Sequence, residues 1–461
     1  MKRLIVNRLL LSDSYKVSHY KQYPPNTTNI YSYLESRGGK FKKTVFFGLQ
    51  YLLKKYFCNP ITMHELNHAK IFYKNHLGSD AIFNEDGWRY IIEKLHGYLP
   101  LRICAVEEGQ INTVGTPLMT VENTDPNCYW LTNYFESLLM QVWYPITVAT
   151  QSYAIKQLLQ DFNEQTSDDK NIDFKLHDFG FRGVSSVESA GIGGMAHLLN
   201  FQGTDTAIAL DFIDEYYRCS KHSNNLTYGF SIPAAEHSTI TSWGKDREEQ
   251  AYRNMVDAYG SGAHGAYAVV SDSYDIYNAV ANIWGDKLKE QVLKADNTLV
   301  IRPDSGNPME VILKLLVILE EKFGVEVNSK GYKVLNPKVR LIQGDGVDYD
   351  SIRLILSYMR DYKYSVDNIA FGMGGALLQK LDRDTQKFAF KCSSACVDGK
   401  EIPVFKDPIT DTGKRSKQGR FDKETYGSSG YLGLVYEDGI LHRECDFNAI
   451  RKKITQYPWE F

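Results

Sequence analysis

With 461 residues the chain can build two or three domains around sizeable cores, and 43% hydrophobic with 24% charged residues is an ordinary globular balance. A formal net charge of −3 excludes whole-chain attraction to nucleic acid, and no apolar run is long enough to span a bilayer. Seven cysteines, odd in number and without metal-type spacing, point to reduced thiols and a cytoplasmic protein.

Residues 1–11 hold an apolar run that Asn7 and Arg8 interrupt, with no small-residue cleavage site after it. They read as a first element of the fold rather than a signal peptide. Residues 1–145 are aromatic-rich and mixed. The apolar run 45–53 is ambiguous between strand and helix. A strand is expected at 101–106 with a hairpin partner in 109–121. Helical spacing covers 130–142, and Pro145 is expected to break it. A long amphipathic helix follows over 147–165.

From about 170 to 385 strands and helices alternate. The strands are expected at 173–178, 267–271, 298–302, 339–343 and 368–372. Helices are expected at 185–199, opened by a capping box of Ser185 and Glu188, at 275–283, at 308–323 with Pro308 at its start, and at 349–359. The series is less clear around 200–240. Such alternation means parallel pairing with right-handed crossovers, in a barrel or a doubly wound sheet. After Lys391 the helical pattern stops, and Gly427-Ser428-Ser429-Gly430 and Asp438-Gly439 bound short strands. The expected division is an α/β domain of 1–145 with 392–461, and an α/β barrel of 146–391.

Seven polar clusters carry the chemistry, most of them closing a strand-like run. They begin at His177-Asp178-Phe179, Gly203-Thr204-Asp205, Ala235-Glu236-His237, Ser271-Asp272, Arg302-Pro303-Asp304, Gly344-Asp345-Gly346 and Gly372-Met373-Gly374-Gly375. One polar tip per strand is how a barrel enzyme assembles its site, and this mixture suits a phosphorylated sugar with a metal ion. Asp304 is either the N-cap of the next helix or a ligand for ribose hydroxyls or Mg²⁺. Arg302 lies two residues before it on the same side of the strand, where a buried ion pair is the alternative to function. Gly374-Gly375 and Gly344-Asp345-Gly346 are either tight turns or bare backbone N–H cradles for phosphate. His237 reads as a core histidine or a reactive one. Asp178-Phe179-Gly180 imitates a kinase motif, but neither its companion loops nor a Walker A sequence is present.

These residues resemble a known family. Asp13-Ser14-Tyr15-Lys16, His19-Tyr20-Lys21-Gln22-Tyr23-Pro24-Pro25, and the segments 177–186, 203–206, 233–239, 270–278, 301–308, 343–348, 374–380 and 405–408 are similar to the nicotinamide phosphoribosyltransferases. The resemblance implies a type II phosphoribosyltransferase fold, an irregular TIM-like α/β barrel plus an α/β domain built from the N- and C-terminal segments. It implies a reaction of nicotinamide with phosphoribosyl pyrophosphate, Mg²⁺ as cofactor, ATP as optional co-substrate, and a homodimer with sites at the interface. Phe179 and a second subunit's Tyr15 would sandwich the pyridine ring, and Asp205 would read its amide with help from Arg302. Arg182, Asp272, Asp304, Gly344, Asp345 and Gly375 would hold ribose and phosphate. Arg37, Arg383, Lys391, Lys406, Lys414 and Arg420 would neutralise phosphate and pyrophosphate. His237 matches a histidine that the family phosphorylates from ATP. A nicotinate-using relative is the nearest rival, and a carboxylate at Asp205 argues against it by repelling nicotinic acid. A non-catalytic binding protein on this scaffold would be expected to lose Arg302, Asp304 and Lys406, yet all three are present.

Overall fold

The computed structural model describes residues 6–218, 227–421 and 432–456. Cys219 and the turn at Gly427-Ser428-Ser429-Gly430 lie outside them. The chain forms two compact units. One comprises 1–150, 213–224 and 382–461, the other 151–212 and 225–381.

The first unit is built on a seven-stranded antiparallel sheet. Its order is Lys400–Pro403, Phe388–Val397, Thr27–Ser36, Pro117–Asn123, Leu101–Ala105, Gly433–Glu437, Ile440–Leu441. Tyr33, on the third strand of this order, pairs with Lys391 on one side and Thr120 on the other. Lys391 therefore belongs to this sheet. The aromatic richness of the first 145 residues becomes a core: Trp88 meets Trp130 and Tyr134 edge-on at 5.0 and 5.2 Å, the preferred arrangement for ring quadrupoles. The ambiguous run 45–53 is both elements. Lys43–Val45 is a strand, Gly48 turns the chain with φ +100°, and Leu49–Leu52 starts a helix.

Two expectations fail here. The helical pattern does not stop after Lys391, because Phe447–Ile454 is a helix whose N-cap, Asp446, accepts from the Asn448 and Ala449 amides. Pro145 does not break a helix either. It lies in the first turn of Trp143–Thr166, where a missing N–H costs nothing. What precedes it is two short helices, Leu131–Tyr134 and Glu136–Met140.

The second unit contains a six-stranded parallel sheet in the order Gly203–Thr204, Leu176–Asp178, Ile369–Met373, Val339–Gln343, Thr298–Arg302, Ala266–Val270. Its edges do not stay open. Phe230 bridges Gly203 and Ala234 bridges Ala268, both in parallel sense. The Phe230 and Thr204 amides donate to Gln202 and Phe230 carbonyls, and the Ala268 and Ala235 amides to Pro233 and Ala268 carbonyls. The segment 230–234 thus closes the ring, and seven elements follow one another in chain order. A closed ring excludes the doubly wound alternative, whose strand order reverses. Leu299, Ile301, Leu341 and Phe371 are fully buried, as are Ile312, Leu315, Leu316 and Leu319 of the crossover helix Pro308–Phe323. Val269 and Val270, on opposite faces of their strand, are both fully buried, as in a parallel sheet covered on both sides, whereas Thr298–Arg302 alternates in burial.

The helix expected at 185–199 is Val187–His197. Its cap is Ser186, which accepts from the Ser189 amide, and not a box of Ser185 and Glu188. At the N-terminal ends of the strands, the buried Lys175 amine donates to the Val366 and Ile369 carbonyls at 2.8 and 3.1 Å. Burial pushes it down to about 8. The polar clusters lie at the other, C-terminal ends of the strands, where barrel enzymes carry their chemistry.

Candidate active site

Each ring element ends in one of the polar clusters, so seven tips share one rim. They enclose a cavity of about 910 Å³, lined by Phe179, Arg182, Asp205, His237, Arg302, Asp304, Gly344, Gly374 and Gly375 among others. These nine were expected at a site. Asp272 stands behind them. Asp345 is not in the lining; its carbonyl accepts from the Gln343 side chain.

Asp272 organises one wall. Its side chain is 4% exposed. Oδ1 accepts from His237 Nε2 at 3.0 Å, and Oδ2 accepts from the Asp304 amide at 3.0 Å and the Ser305 hydroxyl at 2.5 Å. Asp304 Oδ2 lies 3.8 Å from both His237 Nδ1 and an Arg302 guanidinium nitrogen. Asp304 is therefore not the N-cap of the following helix. Asn307 caps it and leaves the Asp304 carboxylate at the cavity. Arg302 Nε is buried and has no partner among the described residues. A buried donor without an acceptor is costly, and a ligand group would repay it.

The opposite wall holds Phe179. Its ring rests on glycine: a Cβ on Gly372 would fall 1.9 Å from Cε2, and one on Gly344 at 3.3 Å. Beneath it, Asp178 is wholly buried and accepts from the Gly180 amide at 2.7 Å, so this carboxylate shapes the turn. Burial pushes it up from the ordinary carboxylate value. Gly183 passes so close that a Cβ would lie 3.1 Å from Gly375 Cα, whereas a Cβ on Gly375 would meet nothing within 4 Å. The Gly374-Gly375 turn therefore faces open space beside Arg182.

Asp205 lies between these walls. Burial alone would raise its carboxyl, but hydrogen bonds from His177 and Ser231 hold it below the ordinary range. Glu236, Thr206, Gly183 and Phe181 also line the cavity; Glu236 was named within a polar cluster, but none of the four was expected as a site residue. Glu236 adjoins His237 in sequence and was within reach of the same reasoning. Gly183 was not, since its role is a tertiary approach.

Tyr15 and the six expected phosphate cations belong to the first unit. Tyr15 is 63% exposed. Lys391 is partly buried. Burial, with Arg37, Lys406 and Arg383 nearby, lowers its amine against the pull of Glu136. These three cations thus lie near enough to act on the Lys391 amine. Arg37 is also paired with Glu35 at 2.8 Å. Lys414 pairs with Asp411 at 3.3 Å, and Arg420 pairs with Glu122 at 2.7 Å over the Tyr31 ring.

The nicotinate phosphoribosyltransferase family model matches residues 174–440, and the model of the nicotinamide phosphoribosyltransferase N-terminal domain matches 7–103. A nicotinamide phosphoribosyltransferase of Xanthomonas campestris is 53% identical over 96% of this chain and 97% of its own. The chain belongs to the nicotinamide phosphoribosyltransferase family. A second such protein, from Acinetobacter baylyi, is 32% identical over 98% of this chain and 97% of its own. Two solved structures share the fold at 14% identity. Nicotinate-nucleotide pyrophosphorylase from Pyrococcus furiosus has a TM-score of 0.57 and covers 99% of this chain and 98% of its own. Human nicotinic acid phosphoribosyltransferase has a TM-score of 0.52, covering 97% and 93%. An irregular barrel of the type II phosphoribosyltransferases, joined to an α/β unit, is thus the fold.

Proposed function

We propose that the chain is a pentosyltransferase of NAD salvage that joins nicotinamide to phosphoribosyl pyrophosphate, giving nicotinamide mononucleotide and pyrophosphate. The observation that carries this reading, within the family, is the carboxylate of Asp205 at the base end of the cavity. It accepts a hydrogen bond from a carboxamide NH₂ and repels the carboxylate of nicotinic acid. Phe179 offers one flat face to the pyridine. Arg302 Nε, unpaired among the described residues, is a donor for the amide oxygen. Arg182 and the Gly374-Gly375 turn suit the 5′-phosphate, and Asp304 the ribose hydroxyls.

In the chemical step the ring nitrogen attacks the anomeric carbon as the bond to pyrophosphate breaks. Positive charge builds on the sugar, where Asp304 and Asp272 oppose it, and negative charge on the leaving group. The protein mainly orients the reactants and excludes water. Among the described residues no group of three or more His, Cys, Asp or Glu could hold a metal alone. That fits Mg²⁺, which takes one or two carboxylates and completes its shell with substrate phosphates and water. Asp304 would hold it, and the ion would neutralise the departing pyrophosphate. His237, on its Asp272 anchor, would take a phosphate from ATP.

Purified protein with phosphoribosyl pyrophosphate, Mg²⁺ and each base, read by chromatography of the mononucleotide, tests this reading. Nicotinamide is expected to be used at least ~100-fold better than nicotinic acid, and Asp205→Asn to narrow the gap about tenfold or more. Equal use of both bases by the wild type would refute it.

We also propose a cytoplasmic homodimer in which a second subunit's Tyr15 covers the base. The exposure of Tyr15 supports this, since an aromatic ring left in water is a natural contact for another surface. Six free cysteines among the described residues are in keeping with a reducing compartment, and no helix there is long and apolar enough to cross a membrane. Light scattering is expected to give twice the chain mass. A monomer that is fully active would remove the shared-site arrangement.

A further inference from the structure

His177 opens the first polar cluster, yet nothing in the reaction above uses it. It pairs in register with Gly203 of the neighbouring strand, two residues before Asp205. Its Nε2 lies 3.0 Å from Asp205 Oδ1. From the other side Ser231, on the segment that closes the ring, donates to the same oxygen at 2.5 Å. Asp205 is thus gripped by both of its neighbours in the ring. Both grips fall on Oδ1, and among the described residues Oδ2 has no partner. A carboxylate free to rotate would present either oxygen at a range of angles. This one has a single oxygen left to offer.

The His177 ring is itself confined. It stands 5.1 Å from the Phe179 ring. A Cβ on Gly203 would fall 2.6 Å from Nδ1. Phe179 and a bare Gly203 Cα therefore fix the imidazole, and the imidazole fixes Asp205. The contact also sets the proton: Nε2 must carry hydrogen to serve a carboxylate oxygen.

We propose that His177 is a positioning residue for base recognition: together with Ser231 it locks Asp205 so that Oδ2 meets the carboxamide NH₂ of the pyridine substrate. This rests on the reading of the chain as a nicotinamide phosphoribosyltransferase. His177 touches neither base nor sugar. It acts through Asp205, and its loss weakens recognition of the amide without disturbing the phosphoribosyl end.

The test is steady-state kinetics of the full chain with nicotinamide and nicotinic acid in turn. His177→Ala is expected to raise KM for nicotinamide about tenfold, the value of one charge-assisted hydrogen bond, with kcat within about threefold of wild type. KM for phosphoribosyl pyrophosphate stays unchanged, and the preference for nicotinamide over nicotinic acid falls about tenfold. His177→Gln puts an amide N–H near the place of Nε2 and is expected to recover most of the loss. Gly203→Ala, which pushes the ring aside, is expected to reproduce the His177→Ala pattern. A purely structural histidine would shift both KM values together and gain nothing from glutamine. An unchanged nicotinamide KM in His177→Ala, or equal loss in the Ala and Gln variants, overturns the proposal alone. A wild-type protein that makes no nucleotide from nicotinamide overturns the parent reading, and this proposal with it.

Discussion

Asp272→Ala is expected to lower kcat/KM by at least about a thousandfold, roughly 4 kcal/mol of transition-state stabilisation. Asp272 is the buried hub that three donors share: His237 Nε2, the Asp304 amide and the Ser305 hydroxyl. Alanine leaves all three without an acceptor. The turn that carries Asp304 loses its tether, and His237 loses the carboxylate that orients it. Misplacement of a reacting group by about 1 Å already costs on the order of a hundredfold. Here two site residues move together, and a negative charge opposite the developing sugar cation is lost as well. The same substitution is expected to abolish labelling of the enzyme by ATP carrying labelled γ-phosphate, as His237→Ala does, because the imidazole is no longer held. Stability should fall by about 1 kcal/mol, since the donors left unpaired are only partly buried or exposed and water can reach them, so circular dichroism and a melting curve must accompany the rates. A folded Asp272→Ala protein within tenfold of wild-type activity would show that the hub is not what aligns this wall.

Most of the barrel could be read in the residues because its strands carry short apolar runs, continuous in Ala266–Val270 and Ile369–Met373 and alternating in burial along Thr298–Arg302. The strands at 298–302 and 339–343 fall where periodicity put them, and those at Ala266–Val270 and Ile369–Met373 are shifted by one residue. The one expected at 173–178 shrinks to Leu176–Asp178. Lys175 explains part of this, since its amine turns inward onto two carbonyls instead of continuing an outward alternation. The seventh element left almost no trace. Residues 230–234 join the ring through single bridges, and Pro233 has no N–H to offer a ladder, so no strand pattern is needed there. It is also the element that brings Ser231 to Asp205. The helix at Phe447–Ile454 was obscured by its shortness and by a last turn of Arg451, Lys452 and Lys453.

The site was legible to the extent that chemistry is written in side-chain types. Carboxylates, arginines and glycine pairs at strand ends announced a shared rim. What sequence could not convey was which group serves which. Asp272, Asp304 and Arg302 looked alike as charged tips, yet one is buried as an anchor while Asp304 and Arg302 line the cavity. The six cations of the first unit looked equivalent too. Arg37, Arg383 and Lys406 all act on Lys391, and Arg37, Arg383, Lys414 and Arg420 are each also paired with a carboxylate, of Glu35, Asp384, Asp411 and Glu122. Such differences depend on pairing across long sequence separations.

Gly372→Ala should be the most damaging single methyl group in the barrel. Glycine at 372 could be taken for a flexible strand end, but its backbone is regular and pairs in register with His177. The reason for glycine is the Phe179 ring, whose Cε2 and Cδ2 atoms lie 1.9 and 2.3 Å from where a Cβ would stand. Ordinary contact needs about 3.5–4.0 Å, so the ring must shift by more than 1 Å. Its backbone cannot follow, because the Phe179 amide is held by the Met373 carbonyl at 3.0 Å. The ring therefore swings into the cavity and occupies the space of the pyridine it would stack against. The expected result is a loss of at least about a hundredfold in kcat/KM for nicotinamide, with an overpacking cost of about 1–3 kcal/mol. Phe179→Ala supplies the control. Once the ring is gone the methyl has room, so Gly372→Ala should cost little further stability in that background. The coupling in such a double-mutant cycle measures the clash directly. Equal destabilisation by Gly372→Ala with and without the Phe179 ring would place the strain elsewhere in the strand and refute the stacking floor.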